Sequence, residues 1–303
     1  MKNAVEQQGR VIRIGTRKSR LAMAQTMLAA KALEEAEPGL KAEIVPLTTK
    51  GDRILDRSLV EFGGKGAFVA EFEHALLEDE IDAAVHSAKD MPMELAEGLC
   101  VSAVLKREDP RDVFVTVKGR EIKNSPMVVG TGSPRRQVQI RERKDCVCKL
   151  LRGNVNTRLE KLYEGQYDGI LLAAAGLLRL GLLEDERFSF EFLPETEFIP
   201  AGGQAIIAIE ARENSKFSEL FQKINHIPTE YSLKAEREVL RLLGAGCNEA
   251  VGVYSSLEGE MLSMRLMRER MGKTVRCTAE GRPQEYEALA GELAGTDTST
   301  RGL

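Results

Sequence analysis

Arginines stand at the points where predicted strands give way to predicted helices. Arg17 follows the apolar run VIRIG, and Arg135 and Arg136 follow VVGTGSP. Arg152 and Arg158 lie on either side of the turn in LRGNVNTR. Free backbone N–H groups at helix starts favour anions, and guanidinium groups add charge and bidentate geometry suited to carboxylates or phosphates. These residues predict a site for a small polyanionic molecule.

The segment Ser133-Pro134-Arg135-Arg136 is typical of a helix start. It combines an N-cap residue, a proline at the first helical position and two cations in the first turn. Cations there oppose the helix dipole, which suggests that an anion completes the site. The alternative is a solvent-facing arginine pair with acidic neighbours, although the repetition at Arg17 and Arg152 argues against it.

A carboxylate follows another predicted strand. HSAKDMP places Ser87, Lys89 and Asp90 at the end of a predicted parallel strand, where open α/β sheets bind their ligands. Asp90 is the candidate catalytic carboxylate, although an aspartate before Met-Pro also serves as a turn former. His86 is expected to be a structural histidine, because no serine or cysteine nucleophile pattern accompanies it.

One cysteine differs from the others in its surroundings. Cys247 in LLGAGCNEAVG follows a glycine-bounded helix end, whereas Cys100 and Cys277 lie in apolar strand-like runs. Cys247 is therefore the candidate attachment point or nucleophile, with an inert loop cysteine as the alternative. Cys146 and Cys148 form a CxC on one face of a predicted strand. We expect no metal site, because only 3 histidines are present and no second cysteine pair is nearby.

Composition limits the function classes. The chain has 303 residues, a formal net charge of -4 and 5 cysteines. This acidic balance argues against nucleic acid as a partner. No apolar run approaches the roughly 20 residues needed to span a bilayer, and the first residues lack the apolar core of a signal peptide. We expect a cytoplasmic protein with reduced thiols and no membrane association.

The order of predicted elements indicates an α/β fold with largely parallel strands. Short apolar runs alternate with helical patterns over the first two hundred or so residues, in two similar tandem units. The run after the Pro-Gly-rich IPAGGQA is expected to return the chain to the first unit. From TEYSLKAEREVLRLL the pattern becomes helix, three strand-like runs and helix, which predicts a small α+β domain.

These patterns divide the chain into domains. The first α/β domain is discontinuous, with residues 1–105 and 201–224, and the second covers 106–200. Residues 225–303 form the C-terminal α+β domain that carries Cys247. The connection KGDRILDRSLVEFGGKG is too long for a routine α/β turn, and its glycines and Lys65 suggest a mobile lid, with a solvated surface loop as the alternative.

The motifs together resemble the hydroxymethylbilane synthase, or porphobilinogen deaminase, family. The matching segments follow the family's order from about residue 11 to residue 256: TRKSRLA, TTKGD, GGKGAF, HSAKDMP, REDPRDVF, VGTGSPRRQ, LRGNVNTRL, YDGILLAAAGLLRLGL, IPAGGQA and GAGC. The resemblance implies two periplasmic-binding-protein-like (type II) α/β domains plus a small C-terminal α+β domain.

The resemblance also implies a transferase of tetrapyrrole (porphyrin, heme) biosynthesis. Such an enzyme condenses four molecules of porphobilinogen head to tail into linear hydroxymethylbilane, with release of ammonia. It is primed by one covalent dipyrromethane cofactor per chain, held by a thioether that would here involve Cys247. The family is usually monomeric, and we expect a monomer whose partner is this small-molecule substrate.

The family's functional residues match positions of this sequence. Asp90 matches the catalytic aspartate, which would stabilise the positive charge left when ammonia departs. Lys65 and Phe68 match the flexible active-site loop. The positions that match cofactor- and substrate-binding residues are Arg17, Ser19, Ser87, Lys89, Thr131, Ser133, Arg135, Arg136, Arg152, Arg158 and Arg179.

Several positions depart from the family pattern. Asn248-Glu249-Ala250 replaces a short apolar-proline segment beside the cysteine, and Glu61 stands where a basic residue often precedes the glycines. Ala205 replaces a glycine and reduces the φ freedom of the backbone.

Two other interpretations of the function stay open from the residues alone. One is a non-catalytic anion-binding module, which would need neither Asp90 nor Cys247, and the other is a thiol-dependent transferase.

Overall fold

The structure, a computed structural model, describes residues 10–48, 69–122, 124–245 and 249–295. Its strands, in chain order, are β1 (Val11–Arg17), β2 (Lys41–Leu47), β3 (Ala83–Ser87), β4 (Leu99–Val104), β5 (Asp112–Val117), β6 (Met127–Gly130), β7 (Cys146–Lys149), β8 (Gly169–Ala173), β9 (Phe188–Leu193), β10 (Ile207–Arg212), β11 (Val251–Glu258), β12 (Met261–Arg270) and β13 (Lys273–Gly281). The helices are α1 (Arg20–Ala36), α2 (Ala70–Leu77), α3 (Pro134–Arg143), α4 (Val155–Tyr163), α5 (Ala174–Arg179), α6 (Ser218–Ile224), α7 (Ile227–Leu243) and α8 (Tyr286–Gly295).

The chain divides into two compact units. The first includes the described residues up to Lys106 and the segment Ile207–His226. The second includes Arg107–Ile206 and the described residues from Ile227 onward.

The first unit is built on a 5-stranded sheet in the order β2-β1-β3-β10-β4. Helix α1 begins at a serine cap and turns small and apolar residues at helical spacing toward this sheet, among them Ala29 and Leu33. They pack against Ile12 and Ile14, which alternate along β1. Phe217 and Phe221 at helix α6 extend the same core.

The second unit contains a similar sheet of 5 strands, in the order β7-β6-β8-β5-β9. Helix α4 contributes Leu159 and Leu162 to one face, where they meet Val113, Ile170 and Leu172 of the strands. Helix α3 contributes Ile140 to a second cluster on this sheet.

The C-terminal part of the second unit is a 3-stranded antiparallel sheet in the order β11-β12-β13. Helices α7 and α8 cover it through Ala235 and Val239 of the first and Ala290 of the second. The predicted succession of helix, three strands and helix is confirmed. The fold class expected from the resemblance, two α/β sheets with a small C-terminal α+β domain, is confirmed as well.

The expectation of largely parallel strands is wrong in detail. Strand β1 runs parallel to β2 and β3, and β6 runs parallel to β7 and β8. However, β10 and β5 are antiparallel to both of their neighbours, so the two sheets are mixed. Strand β10 enters the first sheet after a long excursion of the chain, so it is not subject to the constraint of a short βαβ crossover.

No helix in the described ranges is both long and apolar enough to cross a lipid bilayer.

Candidate functional site

In the first unit, predicted site residues gather at the edge where parallel strands end. Ile14 pairs with Ala83 and Gly15 with Ala84, so the residues that follow β1 and β3 leave the sheet on the same side. Arg17 ends β1, and Ser19 caps helix α1 with its Oγ accepting the N–H of Ala22 at 3.3 Å. This edge therefore combines a cation with the start of a helix.

Ser87 and Asp90 occupy the same edge. The Nε2 of Gln25 on α1 lies 2.9 Å from the Oγ of Ser87 and fixes the helix against the end of β3. Ala88–Asp90 then forms a single 3-10 turn whose first residue is buried. Lys89 is half-buried, and Asp90 is exposed, so its carboxylate is accessible from solvent.

His86 lies beneath this turn in the core. Its Nε2 is 2.7 Å from Oε2 of Glu210, a fully buried carboxylate on β10. The rings of Phe72 and His86 pack in a T-shaped arrangement, with centroids 5.4 Å apart. This environment agrees with a structural role for the histidine.

The second unit presents a comparable edge. Strands β6 and β7 are parallel with Gly130 beside Lys149, so the turns that follow them are neighbours. Thr131 is buried, and its Oγ1 accepts the N–H of Ser133 at 3.2 Å. Ser133 caps α3 and Pro134 is its first residue, as predicted.

Arg152 lies in the neighbouring turn. A side chain added at Gly132 would begin 3.9 Å from Cζ of Arg152, so the two turns are close. Asn154 caps helix α4, with its Oδ1 accepting the N–H of Thr157 at 2.9 Å. Within the described part of the chain the guanidinium of Arg152 makes no ion pair. It is therefore a half-buried cation beside two helix starts, which suits an anion.

Arg135 and Arg136 are buried and share one carboxylate. They are 3% and 8% exposed, and Asp112 at the start of β5 is 0% exposed. Nη1 of Arg135 lies 2.6 Å from Oδ2 of Asp112, and Nη2 of Arg136 lies 2.6 Å from Oδ1. Burial disfavours the charged form of Asp112, but the two guanidinium groups outweigh it and hold the pKa of the carboxyl far below its usual range.

Amide groups complete this cluster. Nε2 of Gln204 donates to Asp112 at 3.2 Å and to the carbonyl of Pro110 at 2.8 Å. Gln139 of α3 binds both the N–H and the carbonyl of Ile199, and Nη1 of Arg135 donates to the same carbonyl at 2.8 Å. The two arginines therefore hold the segment before β10 against the second sheet.

The charge of the cluster is incompletely balanced. Two guanidinium groups face one carboxylate, and Nε of Arg135 is buried without an acceptor among the described residues. Burial lowers the pKa of Arg135 against the opposing effect of Asp112. A carboxylate brought to this edge would compensate the excess positive charge, so the residues fit a carboxylate-bearing cofactor.

Arg158 and Arg179 bind main-chain carbonyls. Nε of Arg158 donates to Gly153 at 2.7 Å, across the turn that precedes α4. Nη2 of Arg179 donates to Ala205 at 2.6 Å, and burial lowers the pKa of this arginine to about 10. Ala205 has φ 70, a left-handed conformation that favours glycine, so the reduced φ freedom noted in the sequence falls on a strained position.

Sequence reasoning missed two buried carboxylates of the second unit. Asp112 was part of the REDPRDVF motif without an assigned role, and the polar residue that begins the apolar run DVFVTV was the available signal. The second is Glu236 on α7, whose Oε1 lies 2.6 Å from Nη1 of Arg107 and accepts the N–H of Ser255 at 2.8 Å. No local sequence signal pointed to Glu236.

Three predicted residues, Lys65, Phe68 and Cys247, lie outside the described residues, as does the whole of the predicted lid segment KGDRILDRSLVEFGGKG. The described cysteines Cys100, Cys146, Cys148 and Cys277 form no disulfide with one another. In the described ranges, no group of three or more histidine, cysteine or acidic residues has the arrangement of a metal site.

Comparison with known proteins identifies a family. The family model "Porphobilinogen deaminase, dipyromethane cofactor binding domain" matches residues 12–219, more than half of the chain. Among solved structures, the periplasmic VFT2 domain of Bordetella pertussis BvgS is 14% identical with a TM-score of 0.42, over 71% of this chain and 86% of that domain. An arginine periplasmic binding protein from Legionella pneumophila is 14% identical with a TM-score of 0.39, over 78% and 98%. Similarities at this level say nothing about function.

Proposed function

Because the chain belongs to the porphobilinogen deaminase family, we propose that it is a hydroxymethylbilane synthase. It would condense four porphobilinogen molecules into linear hydroxymethylbilane with release of ammonia, as a transferase of porphyrin biosynthesis. The observation that carries the proposal is the family match, because residues 12–219 include Asp90 and both arginine-bearing sheet edges.

Asp90 is proposed as the catalytic residue. Its carboxylate is exposed at the end of β3, on a turn held by the buried Ala88 and by the bond between Gln25 and Ser87. A fixed carboxylate at this position would stabilise the positive charge that develops on a pyrrole as ammonia leaves, and would accept or return a proton. The supporting turn would hold the backbone at Asp90 in place during each condensation.

The arginine-bearing edges are proposed as carboxylate sites. Each pyrrole ring of the substrate carries two carboxylates, so a growing chain accumulates negative charge. In the first unit Arg17, Ser19, Ser87 and Lys89 would bind these groups, and in the second unit Thr131, Ser133, Arg135, Arg136, Arg152, Arg158 and Arg179 would do so. Arg152 and the helix start at Asn154 are available without breaking a described ion pair. Arg135 and Arg136 would add a ligand carboxylate to the one that Asp112 already supplies.

Cys247 is proposed as the attachment point of one dipyrromethane cofactor. When bound, this cofactor supplies the primer to which each new pyrrole is joined. Lys65 and Phe68 are proposed to close over the bound pyrroles. We further propose that the protein is a cytoplasmic monomer and that its domains are residues 1–105 with 201–224, 106–200 and 225–303.

Intact mass spectrometry tests the assignment. Protein purified from cells should carry the added mass of two linked pyrrole units, and Cys247→Ser should lack it. Cys100→Ser, in β4, is the matched control and should retain the added mass. An active protein without added mass would refute the proposal.

The rate of bilane formation by the Asp90→Asn variant distinguishes an enzyme from a non-catalytic anion-binding module. The variant should keep the fold and the covalent adduct, because Asp90 is exposed, while bilane formation should fall by several orders of magnitude. Glu94→Gln, which changes another exposed carboxylate shortly after the turn, should leave the rate nearly unchanged. If Asp90→Asn forms bilane at the normal rate, Asp90 is not catalytic.

A further inference from the structure

The thiols of Cys146 and Cys148 lie on one face of an edge strand. They are two residues apart on β7, and side chains at that spacing point to the same side of a strand. Strand β7 is the terminal strand of its sheet in the described structure. Both side chains are partly exposed and pack at the border of the cluster that contains Val129 and Ile140.

The Cys146 and Cys148 thiols interact electrostatically with each other. Burial raises the pKa of Cys146 to about 11, and the neighbouring Cys148 thiol adds to this effect. Burial also raises the pKa of Cys148, while the guanidinium of Arg141 at the end of α3 opposes the increase. Arg141 also lowers the pKa of Cys146, whereas the carboxylate of Asp145 raises it. Burial therefore disfavours deprotonation of the two thiols, and Arg141 offsets part of that effect.

Geometry disfavours a disulfide as the product of this pair. Two residues of extended strand separate their Cα atoms by roughly 6.6 Å, because each residue adds about 3.3 Å. Disulfides span Cα distances of roughly 4.4–6.8 Å, so the bond would form only at the limit of this range or after bending β7. A single ion between the sulfurs would leave them roughly 4.6 Å apart, since each of the two bonds is about 2.3 Å, the length of a zinc–thiolate bond.

We propose that Cys146 and Cys148 form a two-coordinate site for a soft monovalent cation of the copper(I) or silver(I) class. Soft thiolate ligands select such ions. A structural zinc ion requires four ligands, and the described residues offer no third histidine, cysteine or carboxylate in position. The absence of a second cysteine pair nearby in the sequence argues against a four-coordinate zinc site, but it does not exclude an ion that needs only two sulfur ligands.

The binding step balances in protons and charge. Two S–H bonds break, two metal–sulfur bonds form, and two protons pass to solvent. The resulting unit of two thiolates and one monovalent cation carries a single negative charge. The guanidinium of Arg141 favours the thiolate form of Cys148, so it would offset part of that charge without binding the metal itself.

Silver(I) competition on the full-length protein tests the site. In an excess of glutathione, a single-thiol competitor, the wild type should retain one silver ion per chain in native mass spectra. Cys146→Ser and Cys148→Ser should each weaken silver binding by more than about 100-fold. This exceeds the loss typical of changing a residue that contacts the ligands but not the metal. Arg141→Gln should weaken it by roughly 10-fold. Cys100→Ser with Cys277→Ser is the control and should bind as the wild type does.

Several results would contradict the proposed metal site. The proposal fails if the wild type holds no silver in glutathione, or if both single serine variants hold it as tightly as the wild type. X-ray absorption of the wild-type 1:1 silver complex needs no variant and should show two sulfur neighbours. One sulfur, or three or more, would overturn the two-coordinate assignment.

Discussion

Arg136 binds one oxygen of Asp112 through two of its nitrogens. Nη2 lies 2.6 Å and Nε 2.9 Å from Oδ1, while the other oxygen, Oδ2, accepts Nη1 of Arg135. Asp112 thus divides its two oxygens between two consecutive residues of α3. The start of this helix is anchored to β5 by charge as well as by its serine cap.

Removal of the shared carboxylate should destabilise the protein strongly. Asp112→Asn leaves two buried guanidinium groups without a counter-charge, which typically costs about 3–5 kcal/mol in the free energy of unfolding. Urea denaturation measures the loss. Asp185→Asn removes a partly exposed partner of the exposed Arg187 and should cause a much smaller change. Equal effects of the two substitutions would mean that the buried cluster contributes little.

The same carboxylate should give the stability a defined pH dependence. Its pKa is depressed in the folded protein, so the native state binds fewer protons there than the unfolded state does. Its contribution is complete above the unfolded value near 4 and is lost as the pH falls toward the folded value. The difference in unfolding free energy between wild type and Asp112→Asn should therefore be constant from about pH 5 upward and shrink below about pH 4. A difference that grows on acidification would contradict this ion pair.

Ala205→Gly should stabilise the protein. A left-handed conformation costs an alanine about 1–2 kcal/mol, and glycine relieves this at a cost of about 0.4–1 kcal/mol in the unfolded chain. A net gain of up to about 1.5 kcal/mol in the free energy of unfolding is expected from thermal denaturation. Ala208→Gly, in the buried strand β10, relieves no such strain and should be destabilising.

Two glycine-to-alanine substitutions should have opposite signs. A Cβ at Gly252 on β11 would lie 2.7 Å from the carbonyl oxygen of Ile199, so Gly252→Ala must displace backbone. Gly291 in α8 has nothing within 4 Å of such an atom, and alanine there should gain about 1 kcal/mol in helix propensity. Melting temperatures should fall for the first and rise for the second. A neutral Gly252→Ala would show that β11 does not need this close approach.

Arg152→Leu should impair elongation of the pyrrole chain. Its half-buried guanidinium stands beside two helix starts, and a charge-assisted hydrogen bond contributes about 1.5–3 kcal/mol, which corresponds to a roughly tenfold or greater loss in kcat/KM. Steady-state kinetics measure this, with Arg187→Leu as an exposed-arginine control. An unchanged kcat/KM for Arg152→Leu would assign this residue to the surface.

Some features were accessible from sequence because they depend on neighbours in the chain. The serine caps at Ser19 and Ser133 and the helix–strand order of the C-terminal domain follow from local patterns. The placement of Arg17 and Arg152 where strands end is also local, since each directly follows an apolar run. Parallel pairing then brings such ends to one edge.

Other features depend on residues far apart in the chain. The pairing of Arg107 with Glu236 joins residues 129 positions apart, and no local pattern selects one glutamate of an amphipathic helix over another. The antiparallel insertion of β10 depends equally on distant strands.

The amino-acid sequence by itself determined which residues stand at helix starts and strand ends, because hydrophobic periodicity and capping act within a few residues. It also carried the motifs that identify the family. The tertiary structure alone decided that Arg135 and Arg136 turn inward to Asp112, whereas the guanidinium of Arg152 makes no described ion pair. A guanidinium binds whichever carboxylate the packed fold brings within reach, and only the folded chain fixes that distance.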